Sequence, residues 1–224
     1  VNGDCIQNNG EVGIAGVRMD LLDSGNNIIA VTYTDADGRY KFEGLERGTY
    51  SVREIQPAGY FDGGDKIGTI AGVTTGSHAA NDILGAIALL AGPEGINYDF
   101  CEKVPANISG FVFQDGATIV SPTTSTADII ANLPSLRDGV LTSDDTRLPG
   151  VIVRLSRPDG QPIFDVRGNR VEYAFTGADG SYLFADIPAG EYIITETHPA
   201  GYIDWLDTPG TTGTNSTNNT SGTS

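Results

Sequence analysis

Carboxylates set in short, turn-rich segments are the residues of this sequence best suited to chemistry. One series holds Asn2, Asp4 and Glu11, then Asp35 and Asp37, then Asp62 and Asp65. A second series holds Asp115, Asp138, Asp144 and Asp145, then Asp179, then Asp204 and Asp207. Hard oxygen donors drawn from several loops are what Ca²⁺ takes, in sets of about six to eight at about 2.3–2.6 Å. The same residue types also favour turns for their own sake, because Asx side chains bond the local backbone. Calcium ligation and plain turn chemistry both account for them.

The other reactive side chains are few. Cys5 and Cys101 stand near the two ends of one segment of about a hundred residues, which suits a disulfide; two buried free thiols are the alternative, and two cysteines alone make a poor metal site. Glu54 and Glu196 occupy mid-strand positions among apolar neighbours, where a buried carboxyl must accept hydrogen bonds. His78 and His198 are the only histidines, at unrelated positions, and neither GxSxG nor HExxH occurs, so no hydrolase is expected. Trp205, close to Tyr202, could stack on a sugar ring or simply plug a loop pole.

The elements that position these residues are duplicated. TDADGRYKF at Thr34–Phe42 recurs as TGADGSYLF at Thr176–Phe184, and GTYSVREIQPAGY at Gly48–Tyr60 as GEYIITETHPAGY at Gly190–Tyr202, both 142 residues apart. Upstream, GIAGVRMDLL (Gly13–Leu22) matches LPGVIVRL (Leu148–Leu155) at an offset of 134, so the second copy carries eight extra residues around Gln161–Arg170. Period-two alternation between turn residues predicts strands B at Val17–Leu22, C at Ile28–Thr34, D at Tyr40–Phe42, E at Tyr50–Ile55, F at Ile83–Leu89 and G at Ile96–Cys101. Asp37-Gly38 supplies a tight turn between C and D. The second copy opens with a strand A at Ile108–Phe113 and a polar insertion with a short helix at Ala117–Arg137, after which B to E repeat. Counting strand directions brings the A–B, C–D and E–F loops to one pole, and these loops carry the carboxylates. Many short strands with frequent turns make an all-β chain: two tandem immunoglobulin-like or prealbumin-like β-sandwich modules. They span 1–104, lacking its first strand, and 105–210, lacking its last strands, followed by a Thr/Ser/Asn-rich tail at 211–224.

The block series GVxVxL, TDADGxYxF and GxYxVxExxPAGY resembles the B-type repeats of bacterial surface proteins. These are the serine-aspartate-repeat B domains and the collagen-adhesin B-type, prealbumin-like domains. The segment VNGDCIQNNGE resembles the calcium loop of that family without its first Asp. The resemblance implies a stalk or spacer module stabilised by calcium, or locked by an isopeptide in which a strand-E Glu serves a strand-A Lys. Here ISGFVF holds no Lys, Lys41 falls on strand D, and Asn97 alone cannot form the bond, so no isopeptide is expected. The first and last strands of this fold lie close, which fits a Cys5–Cys101 bridge.

Lys plus Arg total 13 against 29 for Asp plus Glu, a formal charge of −16. Such a surface repels phosphate backbones and anionic lipid, which argues against nucleic-acid or membrane-surface binding, and no apolar run reaches the roughly 18 residues a span requires. The expected function is structural: a spacer repeat of a secreted surface, fibre or matrix protein. Its expected partners are neighbouring repeats or subunits, joined by strand addition or end-to-end packing. The alternative is a glycan- or protein-binding module at the Trp205 and Tyr202 pole.

Overall fold

A computed structural model describes residue 5 and residues 10–116, 139–143, 145–202 and 207–211. It divides into two compact units, Val1–Pro105 and Ala106–Ser224, and its described residues form strands and turns without a helix. The insertion 117–137 and the tail beyond 211 lie outside the described residues.

Unit 1 contains β1 (Arg18–Leu22), β2 (Ile28–Tyr33), β3 (Gly48–Glu54), β4 (Phe61–Lys66), β5 (Thr69–Ile70), β6 (Val73–Thr74), β7 (Ser77–Ala80), β8 (Ile83–Leu89), β9 (Gly95–Ile96) and β10 (Asp99–Lys103). Its main sheet runs β2-β1-β3-β8-β7, beside a β10-β4 ladder and a small β6-β5-β9 sheet. Alternation along β1 and β3 turns Met19, Leu21 and Val52 inward, where they meet Val17, Ile70, Leu84, Ile87 and Tyr98.

Unit 2 contains β11 (Ala106–Phe111), β12 (Phe113–Gln114), β13 (Thr146–Arg147), β14 (Ile152–Ser156), β15 (Ile163–Phe164), β16 (Arg170–Val171), β17 (Tyr173–Phe175), β18 (Ser181–Ile187) and β19 (Ile193–Glu196). Its sheets are β17-β14-β19, β11-β18, β12-β13 and β15-β16, closing on Val153, Leu155, Ile163, Phe184 and Ile187. The extra residues of the second copy form the β15–β16 hairpin, whose Ile163 joins the core.

Several expected elements differ. Tyr40–Phe42 forms no strand. Its counterpart, β18, pairs with β11 (Ile108 opposite Phe184), so the first strand of this module lies beside strand D. Without such a partner among the described residues, Tyr40–Phe42 has no ladder to join. The expected strand at Ile96–Cys101 breaks at Asn97, whose φ of 60° turns the chain from β9 into β10. Asp62 and Asp65 sit in β4, not in a loop.

One pin is made twice. The Thr34 hydroxyl donates to the Ile14 carbonyl at 2.6 Å and accepts from Val17 N at 2.8 Å. Thr176 does the same with Leu148 (2.6 Å) and Val151 (2.9 Å). The turn that follows needs glycine: Gly180 has a φ of +73°, and a Cβ there would lie 2.6 Å from the Val112 carbonyl. On the outer face of β1, fully buried Asp20 accepts from Arg18 Nε at 2.8 Å and from Arg53 Nη2 at 2.5 Å across the ladder. Burial pushes the Asp20 pKa up, but the bonds from Arg53 and Arg18 outweigh this and hold it below the ordinary carboxylate range.

Two predictions follow from these contacts. Thr176→Val removes both hydroxyl bonds and leaves a buried donor and acceptor unmet, so unit 2 should lose about 2–3 kcal/mol. Thr176→Ser should recover most of that loss in urea unfolding read by hydrogen exchange of unit 2 peptides. Asp20→Asn should cost unit 1 about 2–3 kcal/mol at pH 7, less than a fully buried pair would because both guanidinium groups touch water. Asp20 has a depressed folded pKa, so its contribution is present above its unfolded pKa and lost as pH falls through the folded one. The penalty of Asp20→Asn should therefore shrink below about pH 4, as urea midpoints at pH 7 and pH 3 would show.

Candidate functional site

Most of the loop carboxylates close their own turns. Asp35 Oδ1 accepts from the backbone N–H of Asp37 and of Arg39, both at 2.9 Å, and Asp37 pairs with the Arg39 guanidinium. Asp179 Oδ1 accepts from Ser181 N at 3.1 Å and from its hydroxyl at 2.7 Å. Asp115 Oδ2 accepts from Gly139 N at 2.7 Å. Asp145 accepts from Gly116 N at 2.7 Å and from Thr142 N at 2.6 Å. The Arg39 amide holds the Asp35 carboxyl below its usual range, and the Ser181 hydroxyl does the same for Asp179. The same Asx geometry occurs at Asp23 and Asp165, which the sequence reading did not single out. Glu11 is half-buried and Asp207 exposed; Asn2, Asp4, Asp138, Asp144 and Asp204 lie outside the described residues.

A denser group of acids lies elsewhere, along one seam of unit 1. In the β4–β10 ladder Asp65 stands opposite Phe100, Gly64 opposite Cys101, and Asp62 opposite Glu102, with Gly63 bulged out of register. A Cβ on Gly63 would lie 2.4 Å from the Cys101 carbonyl, so the bulge depends on glycine. Partners across an antiparallel ladder share a face. Phe100 packs on the core, so Asp65 faces inward with it, and the bulge brings Asp62 and Glu102 to the same side. Glu54 ends β3 on its core face and is 6% exposed; its N–H donates to the Asp82 carbonyl at 2.9 Å, which places the β7–β8 turn at the same spot.

The seam is under-bonded. Glu54 and Glu102 are hydrogen-bonded to each other, and Glu102 also accepts from Gln56 Nε2. Asp65 accepts from Asp82 N, and Asp62 Oδ1 from Gly64 N at 3.0 Å. Glu54 Oε2, Asp65 Oδ1, Asp82 Oδ1 and Glu102 Oε1 are buried with no hydrogen-bond partner. Burial first, then the neighbouring negative charges, push the pKa values of Glu54, Asp65 and Asp82 up, and burial does the same to Glu102. As the side chains stand, no three described His, Cys, Asp or Glu residues converge on one metal position; the acids bond in pairs or to the backbone, and four of their oxygens stay unmet.

Of these residues the sequence reading named Glu54, Asp62 and Asp65 and missed Asp82 and Glu102. Glu102 was legible, since Tyr98, Phe100 and Glu102 alternate along one face. Glu196, expected to be buried like Glu54, is exposed. The reason lies in its surroundings: β3 is flanked by β8, whereas β19 pairs only with β14 among the described residues, so no second layer covers its end. Tyr202 is 40% exposed, its carbonyl 3.0 Å from His198 Nε2, and Trp205 lies outside the described residues. Cys5 and Cys101 form a disulfide with a Cα–Cα distance of 5.5 Å.

Comparison with known proteins follows the same division. Residues 1–100 match the SdrD B-like domain family and residues 140–219 the prealbumin-like fold domain family. The serine-aspartate repeat-containing protein F of Staphylococcus epidermidis is 28% identical over 202 residues, covering 89% of this chain and 10% of that protein. Protein D of Staphylococcus aureus strain Newman is 28% identical over 205 residues, covering 90% and 13%. The chain thus spans about a tenth of the length of these relatives. Among solved structures, the shaft pilin SpaA of Lactobacillus rhamnosus GG overlaps 87% of this chain and 82% of its own at 14% identity and a TM-score of 0.33. The minor pilin GBS52 of Streptococcus agalactiae overlaps 88% and 77%, at 14% and 0.28. Along most of its length the chain is thus similar to the B-type repeats of bacterial surface proteins, residues 1–100 to the SdrD B-like domain and residues 140–219 to the prealbumin-like domain, a likeness that goes with an extracellular, cell-surface location.

Proposed function

We propose that this chain is a non-enzymatic, load-bearing spacer of a secreted surface protein, two B-type modules in series, stabilised by calcium. The observation that carries the reading is the duplicated module together with its staple. Each copy closes its own core with the same threonine pin, and in unit 1 a disulfide joins residues 96 apart in sequence. A cross-link over nearly a whole module restricts the unfolded chain, about 4–5 kcal/mol in the loop-entropy treatment. It also keeps the stapled residues from extending under load. The donors of unit 1 fit calcium chemistry, since the orphaned oxygens of its seam are all hard carboxylate oxygens. Neighbouring repeats or subunits are the proposed partners. The unpaired stretch at Tyr40–Phe42 and the outer edge of β19, where Ile193 and Ile194 are exposed, are the places where strand addition would act.

Single-molecule stretching of the whole chain tests the spacer reading. Two discrete unfolding events are expected, and reductant should lengthen the unit 1 event by the 96-residue span of the staple, about 330 Å at full extension. A continuous extension without discrete events would contradict the reading, as would a unit 1 step of equal length with and without reductant.

A further inference from the structure

We infer that β2, the outer strand of the unit 1 main sheet, is a self-association edge: it pairs antiparallel with β2 of a second copy of this chain and joins the two five-stranded sheets into one. The inference goes beyond the spacer reading, since it concerns side-by-side contact between chains and involves neither calcium nor the ends of the modules.

Sheet edges are normally blunted by charge, proline or brevity. The far edge of the same sheet follows that rule, for β7 has four residues and a register break between His78 and Ala80. The matching edge of unit 2, β17, has three residues and follows Glu172, which pairs with Arg154 and Arg170. In contrast, β2 reads IIAVTY, and neither a charged residue nor a proline occurs from Ser24 to Thr34. Ala30 and Thr32 lie opposite Leu21 and Met19 and face inward, whereas Ile28, Val31 and Tyr33 lie opposite Leu22, Asp20 and Arg18 on the outer face. The register slips at Ile29, which adds a fourth large side chain to this row, and all four are 45–60% exposed. The backbone points the same way. Thr34 donates its N–H to the Val17 carbonyl and accepts from Gly16 N, both at 2.9 Å, so its polar groups turn toward β1. Alternation then aims the N–H and C=O of Tyr33 and Val31 away from β1, where no described strand meets them.

Charge selects the occupant. A cationic partner would be drawn to the carboxylates of a chain of net −16, and a second copy is repelled by them. Two copies can meet at β2 without opposing carboxylates. On its outer face the nearest charges are the Arg18 and Arg53 guanidinium groups bonded to Asp20, and at its ends Asp23 and Asp35 are turned onto their own backbone amides. A two-fold axis at Val31 sets Val31 against its mate and Tyr33 against Ile29 of the other copy, which gives each of these outward residues an apolar partner. The two Arg18 residues then stand roughly 20 Å apart, from three strand spacings and four residue steps, well beyond the Debye length of about 8 Å.

Sedimentation equilibrium of the full chain tests the pairing. A single strand makes a contact smaller than the roughly 1,200 Å² of a standard interface, so a weak, reversible monomer–dimer equilibrium is expected. Added salt should strengthen it by screening the net charge. Val31→Lys and Val31→Glu should each be monomeric, because each sets like charges directly opposite, and an equimolar mixture of the two should recover the dimer. Independently of any variant, hydrogen exchange at Val31 and Tyr33 of the wild-type chain should slow as concentration rises, while exchange in β17 should not change. A wild-type chain that stays monomeric at all concentrations, or a mixture no more associated than its separate components, would overturn the proposal. So would dimers that survive both Val31 variants and disappear in Tyr173→Lys, which would put the contact on β17. The stretching result for the spacer reading is measured on single chains and stands or falls apart from this one.

Discussion

Like charges enclosed between two β-layers are the constraint that unit 1 is built around. Two carboxylates about 4 Å apart repel by about 4 kcal/mol at an effective dielectric near 20, and five acids face this seam. A sandwich cannot hold that arrangement by apolar contact. It needs a proton on some of the carboxyls, a cation among them, or a covalent tie that keeps the layers from parting. The tie is present. Cys101 lies between Phe100 and Glu102 in β10, and its disulfide to Cys5 anchors that strand on the face opposite the acids.

The two units show what the seam adds. Their first halves are nearly superimposable in bonding, with Thr34 and Thr176 joining the same backbone groups and Gly38 and Gly180 turning at φ of +77° and +73°. Their second halves part at one equivalent carboxylate. In unit 1 the strand bearing Glu54 is flanked by β8 and capped by β4 and β10, and Glu54 is buried. In unit 2 the described strand bearing Glu196 stops at the sheet edge, and Glu196 is exposed. One repeat sequence therefore yields an enclosed acid or a solvated one according to the strands around it.

Strands B, C, E and F were legible in the sequence because alternation and turn residues are local signals. So was the duplication, which fixes the threonine pin in both copies. Other features depended on partners far along the chain. Tyr40–Phe42 has the same alternation as its β18 counterpart, yet forms no strand, because a ladder needs a neighbour that local pattern does not contain. Asp62 and Asp65 were assigned to the loop after strand E by counting strand directions, whereas they lie in β4, where the bulge at Gly63 brings both acids to one side. Asp20 escaped notice because an Asp flanked by Met19 and Leu21 reads as an ordinary outward residue, until Arg53 arrives from the next strand to bury it.

The most direct measurement is urea unfolding of the whole chain at pH 5 and pH 8, read by hydrogen exchange of unit 1 peptides. Burial and the neighbouring acids push the Glu54 pKa up to about 9, and burial pushes that of Glu102 up to about 7, so the folded seam binds more protons than the unfolded chain and stability falls as pH rises toward the folded values. The account predicts that unit 1 is less stable at pH 8 than at pH 5, and that Glu54→Gln combined with Glu102→Gln removes the difference. Equal stability of the wild-type unit at the two pH values, or an undiminished difference in the double variant, would contradict it.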